Sequence, residues 1–180
     1  MKQAGFSLLE MLVALALSSV LLVGAGRVLP ALQRQNLQTL MRLQLHEEIQ
    51  LMMATLQKAV IRAGYCKGKC GGAGLRIAGS GRCFLVRWDE NSNGVWEGTG
   101  SAESDFYGYR FRQGSLEMQR GVDNCDGSGW ERLNDPATVS LSDFQIVQNE
   151  KQIRLAITAF ASAFPQHSLT LERWITAVNL

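Results

Sequence analysis

Gly5-Phe6-Ser7-Leu8-Leu9-Glu10 opens a strongly apolar stretch that continues from Met11 to Gly26. As a helix, residues Phe6 to Gly26 are long enough to cross a hydrocarbon core of about 30 Å. Glu10 is the only charged residue among them. Because a carboxylate at membrane depth is unfavourable unless it finds a partner, an ionisable residue there indicates a functional site.

The short leader Met1-Lys2-Gln3-Ala4-Gly5 carries one basic residue and ends in glycine just before Phe6. With Glu10 as the fifth residue after that glycine, the pattern resembles the N-terminal signal of type IV prepilins and pseudopilins. The resemblance implies that a prepilin peptidase cleaves between Gly5 and Phe6 and methylates the new terminus, giving N-methyl-Phe6. It also implies that Glu10 pairs with the terminal ammonium of a neighbouring subunit, an attraction that is strong at low dielectric.

Two other interpretations of the N-terminus stay open. An ordinary secretory signal would use Lys2 as its basic region, Leu12 to Val23 as its apolar core and Gly24-Ala25-Gly26 as its cleavage site. A plain single-span anchor would share the orientation that places Lys2 in the cytoplasm. Glu10 would interrupt the secretory signal and has no purpose in the plain anchor, so the pattern favours pilin-type processing.

The composition allows one ordinary domain plus an anchor. The chain has 180 residues, and its 46% of hydrophobic residues are ample for a core. Its formal net charge is +2, and its basic residues are scattered rather than interleaved with aromatic ones. The sequence therefore gives no sign of a nucleic-acid partner.

Four cysteines lie at positions 66, 70, 83 and 125, all beyond the apolar stretch. If Lys2 stays in the cytoplasm, all four reach the oxidising periplasm, where disulfides persist. Zinc is the competing interpretation, but the cysteines lack the paired short spacing of zinc ribbons and no histidine lies nearby. Of the three connectivities, we prefer Cys66 with Cys70, which would pin a glycine-rich loop, and Cys83 with Cys125, which would tie two strands together.

An apolar stripe predicts that the helix continues beyond the span to about Ala63. Pro30 should kink or locally melt it, and Gly64 suits its C-terminus. The stripe consists of Leu37, Met41, Leu45, Ile49, Met52, Leu56 and Val60.

Short β-prone runs follow a glycine-rich segment at positions 68 to 81, which contains at most a short strand at Leu75 to Ile77. The other predicted strands are Cys83 to Trp88, a hairpin over Asp105 to Arg120 that turns at Gln113-Gly114, Thr138 to Gln148, Ile153 to Ala161 and Ser168 to Val178. We expect an α+β fold, in which a long N-terminal helix packs on one antiparallel β-sheet head. Its regions are the leader 1–5, the transmembrane and assembly helix 6–26, the amphipathic helix of the head 27–63 and the β-rich periplasmic head 64–180.

The strands carry a second resemblance. The hairpin Tyr109 to Arg120 is similar to that of the larger minor pseudopilins of type II secretion, the J subunit group, and of the W-type minor pilins. The four cysteines, the Arg62 to Cys66 junction and the Trp88 to Gly94 loop resemble the family of prepilin peptidase-dependent protein B. The resemblance implies a type IV pilin-like fold. It implies as partners the prepilin peptidase, other minor pilins or pseudopilins, the major pilin and the inner-membrane assembly platform.

A calcium-like pattern lies at Asp89-x-Asn91-x-Asn93-Gly94. Alternating oxygen ligands before a glycine are typical of calcium loops, and the ligands would be Asp89, Asn91, Asn93 and the Val95 carbonyl, with Glu97 as a further one. The twelfth position is Gly100 rather than glutamate, which argues against an EF-hand. An Asx-rich turn is the alternative interpretation, and we expect no other cofactor.

No catalytic set emerges, because neither His46 nor His167 has a nucleophile at a telling spacing. We therefore expect no enzyme but a minor pilin or pseudopilin that helps to prime filament assembly, at the tip. It would lie in the inner membrane as a single-pass protein with a cytoplasmic N-terminus and a periplasmic head, and later in a pilus or pseudopilus. The rival hypothesis is a membrane-anchored or secreted periplasmic enzyme or binding domain.

Overall fold

A computed structural model describes residue 5 and residues 7 to 180 of the chain. Its helix is α1 (Leu8–Arg62), and its strands are β1 (Leu75–Ala78), β2 (Cys83–Arg87), β3 (Phe106–Arg112), β4 (Ser115–Arg120), β5 (Glu131–Arg132), β6 (Val139–Asn149), β7 (Gln152–Ala161) and β8 (Ser168–Thr176). The order of one long helix followed by antiparallel strands confirms the α+β fold class. The chain divides into two compact units, of which the first ends at Arg42 and the second comprises Leu43–Leu180.

The first unit is helical from Leu8 onward, and its most apolar stretch is not buried at all. Leu8 is 79% exposed and Leu21 is 73% exposed. By length and composition, this helix could cross a membrane. The helix also passes through Pro30 without a break, so the local melting predicted there does not occur, and a kink stays a prediction.

The second unit contains the end of α1, which buries one face. The predicted stripe is buried from Leu45 to Val60, whereas Leu37, which lies in the first unit, is 48% exposed. The helix ends at Arg62, one residue before the predicted end. Gly64 then takes a φ of +84°, and a Cβ there would lie 2.4 Å from the carbonyl oxygen of Asn179, so both conformation and space require glycine.

The strands form two antiparallel sheets rather than the one sheet expected. One sheet has the order β1-β2-β3-β4-β5 and the other has the order β6-β7-β8. The reason lies at Asn134, which follows β5 and is buried. Its Oδ1 accepts the backbone N–H of Leu116, and its Nδ2 donates to the carbonyls of Gly114 and Val139. This side chain satisfies main-chain groups between the two sheets that a continuous ladder would otherwise have paired.

The β3–β4 hairpin agrees with its prediction in both turn and register. Gln113 and Gly114 have φ values of 48° and 77°, as a tight type I′ hairpin turn requires. Tyr107 and Tyr109 alternate into the core, where the Tyr109 ring stacks on Phe84 at 5.0 Å between centroids. The core of the second unit lies between the helix face and the inner faces of the sheets. Its fully buried members include Ile49, Leu56, Phe84, Phe144, Ile153, Leu155 and Ile157.

Candidate functional site

Glu10 stands in the first turn of α1 and closes a reciprocal pair of hydrogen bonds with Ser7. The backbone N–H of Ser7 donates to Glu10 Oε2 at 3.1 Å, and the backbone N–H of Glu10 donates to Ser7 Oγ at 3.3 Å. This arrangement is a capping box, in which two helix N-terminal donors are satisfied by side chains. Sequence reasoning missed it, although serine followed three residues later by glutamate before an apolar run is its signal.

The capping box leaves much of Glu10 open to a partner. The residue is exposed, and no hydrogen bond from the described residues reaches its Oε1. Gly5, on the leader side of the predicted cleavage point, is exposed as well. Phe6 lies outside the described residues, so cleavage between Gly5 and Phe6 and methylation of Phe6 stay predictions.

The helix behind Glu10 presents a continuous apolar surface. Large exposed apolar areas of this kind mark contacts with a membrane or with other proteins. Its large hydrophobic residues, each at least half exposed, include Leu9, Met11, Leu12, Val13, Leu15, Leu17, Val20, Leu21, Leu22 and Val23.

The four cysteines form two disulfide bonds, Cys66–Cys70 and Cys83–Cys125. Their Cα atoms are 6.0 Å and 6.3 Å apart, within the range that a disulfide spans. These are the pairs that the sequence analysis preferred. Cys66–Cys70 closes the loop after α1, and Cys83–Cys125 joins the start of β2 to the segment between β4 and β5.

Asp89 is the centre of the predicted calcium loop, but its carboxylate binds the backbone. The residue is 1% exposed. Its Oδ1 accepts the N–H of Asn93 at 3.0 Å, and its Oδ2 accepts the N–H groups of Lys67 at 3.0 Å and Gly94 at 2.9 Å. Burial alone would raise the pKa of Asp89, but these backbone donors outweigh it and hold the pKa below 3.8.

The other predicted ligands continue the same turn. Asn91 Oδ1 accepts the N–H of Asn93 at 3.0 Å, and Asn93 Oδ1 accepts the N–H of Val95 at 2.9 Å. Asn93 Nδ2 donates to Glu97 Oε1 at 2.5 Å. The side-chain oxygens of four of the predicted residues, Asp89, Asn91, Asn93 and Glu97, therefore accept N–H groups within the loop, and Val95 takes part through its own N–H.

Asp105 joins this loop from the start of β3, which the sequence did not predict. It is 1% exposed and accepts the N–H groups of Glu90 and Glu97 at 3.1 Å and 3.2 Å. Burial, and then the hydrogen bond with the Glu97 carboxyl, raise the pKa of Asp105, whereas that same bond lowers the pKa of Glu97.

These contacts favour the Asx-rich turn over the calcium loop, because backbone N–H groups already bond to the side-chain oxygens of Asp89, Asn91 and Asn93. Within residue 5 and residues 7 to 180, no three His, Cys, Asp or Glu side chains are grouped so that they could hold a metal ion. Calcium binding stays a prediction. His46 and His167 are both exposed, His46 on α1 and His167 in the turn before β8.

Two families of known proteins match this chain, one at its N-terminus and one over most of the remainder. The family model described as prepilin peptidase-dependent protein B matches residues 38–177, and the one described as the prokaryotic N-terminal methylation motif matches residues 1–26. Prepilin peptidase-dependent protein B of Escherichia coli (strain K12) is 42% identical over 184 residues, which cover 99% of this chain and 98% of that protein. No solved structure matches the chain.

Proposed function

Because the chain belongs to the family of prepilin peptidase-dependent protein B, we propose that it is a minor pilin or minor pseudopilin that primes filament assembly. The filament is a type IV pilus or a type II secretion pseudopilus, and the subunit stands at its tip. The observation that supports this proposal most strongly is that two features coincide at the N-terminus. The methylation motif of residues 1–26 overlaps the exposed, apolar start of α1, where Glu10 is the only charged residue between Phe6 and Gly26.

Before assembly, the exposed apolar side chains at the start of α1 lie in the inner membrane. Residues 1–5 are the leader, with Lys2 in the cytoplasm, and residues 6–26 form the span. Residues 27–63 continue as the helix of the head, and the β-rich part from 64 to 180 lies in the periplasm, where its two disulfides can form.

Removal of the leader by the prepilin peptidase makes Phe6 the new terminus and adds one ammonium group beside the start of the helix. Glu10 of one subunit then pairs with that ammonium on a neighbour. The capping box supports this role, because it fixes the Glu10 carboxylate at the helix end while one of its oxygens stays open. In a setting of low dielectric, such a pair sets the axial position of the two helices.

The exposed apolar surface of α1 also indicates which subunits the protein contacts. The apolar helix packs against the equivalent helices of sister minor subunits and of the major pilin as the subunits leave the lipid at the assembly platform. In the second unit, α1 adds an outward face with Leu43, Leu51 and Ile61, which are 56%, 69% and 42% exposed. These side chains point away from the buried stripe and extend the apolar surface available to a neighbouring helix.

The proposal is tested by exchanging residues 1–26. In one chimera they are replaced by an unrelated signal anchor, and in the matched control by residues from another prepilin that include its own glycine, glutamate and span. We expect loss of piliation or secretion only with the unrelated anchor. Full function of that chimera would instead favour a head that works alone, as an anchored enzyme or binding domain.

A further inference from the structure

Residues 121 to 130, here called the strap, lie across the outer face of the five-stranded sheet between β4 and β5. Beneath them is Gly108 of β3, whose Cβ, if it had one, would lie 2.7 Å from the Trp130 ring and 2.8 Å from Val122. Leu85 of β2 borders the same spot at 3.1 Å and is only 6% exposed. Gly108 thus creates a depression in the sheet that the strap fills with Trp130 and Val122.

Arg110 holds the strap from below. Its Nη1 donates to the carbonyls of Cys125 at 2.8 Å and Gly127 at 3.3 Å, and its guanidinium lies 4.2 Å from the centre of the Trp130 ring. The Arg110 side chain is itself fixed by an ion pair with Glu117 at 2.7 Å, in which both side chains are nearly buried. The strap is therefore bound by hydrogen bonds and a cation–π contact along its second half.

Both ends of the strap are anchored in the sheet by main-chain hydrogen bonds, whereas its middle is held through side chains: Arg76 donates to the carbonyl of Asp123, and Arg110 donates to those of Cys125 and Gly127. At its start the N–H of Gly121 donates to the carbonyl of Phe106, and at its end β5 pairs with β4. Gly121, Gly127 and Gly129 all have positive φ values, so this segment loses much backbone freedom when it is ordered. The covalent attachment of the middle is the Cys83–Cys125 disulfide.

The disulfide borders a cleft of about 350 Å³, which Arg82, Cys83, Arg110, Arg112, Cys125 and Asp126 help to line. Cys83 is 4% exposed, whereas Cys125 is only half-buried. Cys125 is therefore the more accessible cysteine of the pair, and the cationic side chains that line the cleft favour a departing thiolate.

From these contacts, we propose that the strap is a redox-controlled cover: the Cys83–Cys125 disulfide keeps it closed over Leu85 and Gly108, and reduction by a dithiol opens it. A thiolate of the dithiol attacks the Cys125 sulfur, forms a mixed disulfide with it and releases Cys83 as a thiolate. The second thiol of the reagent then closes the reagent's own disulfide and releases the Cys125 thiolate. Two electrons pass from the dithiol to the protein, and both cysteines take up protons.

The test is limited chymotrypsin digestion of the full chain in detergent micelles, with cleavage sites followed by mass spectrometry. The variant Cys66→Ser/Cys70→Ser retains only the strap disulfide, and it is digested before and after treatment with dithiothreitol. We expect cleavage after Trp130 to accelerate at least tenfold on reduction, while cleavage after Trp174 in β8 stays unchanged. Removal of dithiothreitol and reoxidation should restore the slow rate.

The matched variant Cys83→Ser/Cys125→Ser should show the fast rate without reductant and no response to it. An unchanged Trp130 rate after complete reduction would mean that the non-covalent contacts close the strap without the disulfide, and this would overturn the proposal. Equal acceleration at Trp130 and Trp174 would also overturn it, because the disulfide would then hold the whole second unit rather than the strap. If the serine variants do not fold, the unaltered chain is digested in its reduced and reoxidised forms. The ratio of the cleavage rates after Trp130 and Trp174 then tests the proposal in the same way.

Discussion

One carboxylate oxygen of Glu10 accepts the N–H of Ser7, and the other accepts no hydrogen bond from the described residues. Substitutions can test these two features of Glu10 separately. Glutamine keeps a hydrogen-bond acceptor for the Ser7 N–H, as a capping box allows, but it removes the charge. Alanine removes both. The pair of variants therefore distinguishes a helix cap from a partner for an ammonium group.

We expect both Glu10→Gln and Glu10→Ala to lower incorporation into filaments by at least tenfold while peptidase cleavage continues. The loss of charge removes the attraction to the neighbouring ammonium in either case. The measurement compares the variant in sheared filaments with the processed protein in membranes, and Ser7→Ala serves as the control that weakens only the cap. Normal incorporation of Glu10→Gln would limit Glu10 to capping.

Asp89 makes the loop at 89–97 sensitive to acid. Because its pKa in the folded protein is lower than its ordinary 3.8, its contribution to stability is complete above pH 3.8 and is lost as the pH falls through the lower folded value. We expect Asp89→Asn to lower the thermal midpoint at pH 7. Below pH 3.8 the difference from the unaltered chain should shrink, as followed by circular dichroism. A constant difference from pH 2 to pH 7 would contradict this role of the carboxylate.

At the scale of the element, the second-unit part of α1 buries one apolar face and exposes separate hydrophobic residues on the opposite side. Leu56 is fully buried against the sheets, and Leu51 is 69% exposed on the opposite side. Substitutions of these two leucines therefore test packing and assembly independently.

Leu56→Ala should reduce the free energy of unfolding by about 2–5 kcal/mol, because it removes buried methyl groups and leaves a cavity. Leu51→Gln should change it by no more than about 0.5 kcal/mol, as surface substitutions do, yet lower filament incorporation. Denaturant unfolding and filament shearing measure the two effects. If Leu51→Gln assembled normally, the outward face would have no part in helix packing.

The elements that sequence could predict are those with a local signal. The alternation of Tyr107 and Tyr109 and the Gln113-Gly114 pair located the β3–β4 hairpin, because period and turn chemistry act within a few residues. The two-residue strand β5 has no period to detect. The capping box at Ser7 and Glu10 also has a local sequence signal, but the sequence analysis interpreted Glu10 only as a charge at membrane depth.

At the scale of the whole molecule, the unpredicted features depend on contacts distant in sequence. Asn134 bonds to main-chain groups of Leu116 and Val139, which belong to different sheets, and Asp105 joins the Asp89 loop from the position just before β3. Trp130 covers Gly108 only because the strap folds back on β3. Such contacts have no pattern in the chain, whereas the methylation motif of residues 1–26 is contiguous and was readable for that reason.

The proposed function requires that residues 1–26 act as a prepilin signal, and the mature N-terminus tests this most directly. The full chain is expressed with and without an active prepilin peptidase, and its N-terminal peptide is identified by mass spectrometry. We expect a peptide that begins at N-methyl-Phe6 only when the peptidase is present, since Gly5, Phe6 and Glu10 lie within the matched methylation motif. A terminus near Arg27, or an uncut Met1 beside an active peptidase, would contradict pilin-type processing and the assembly role built on it.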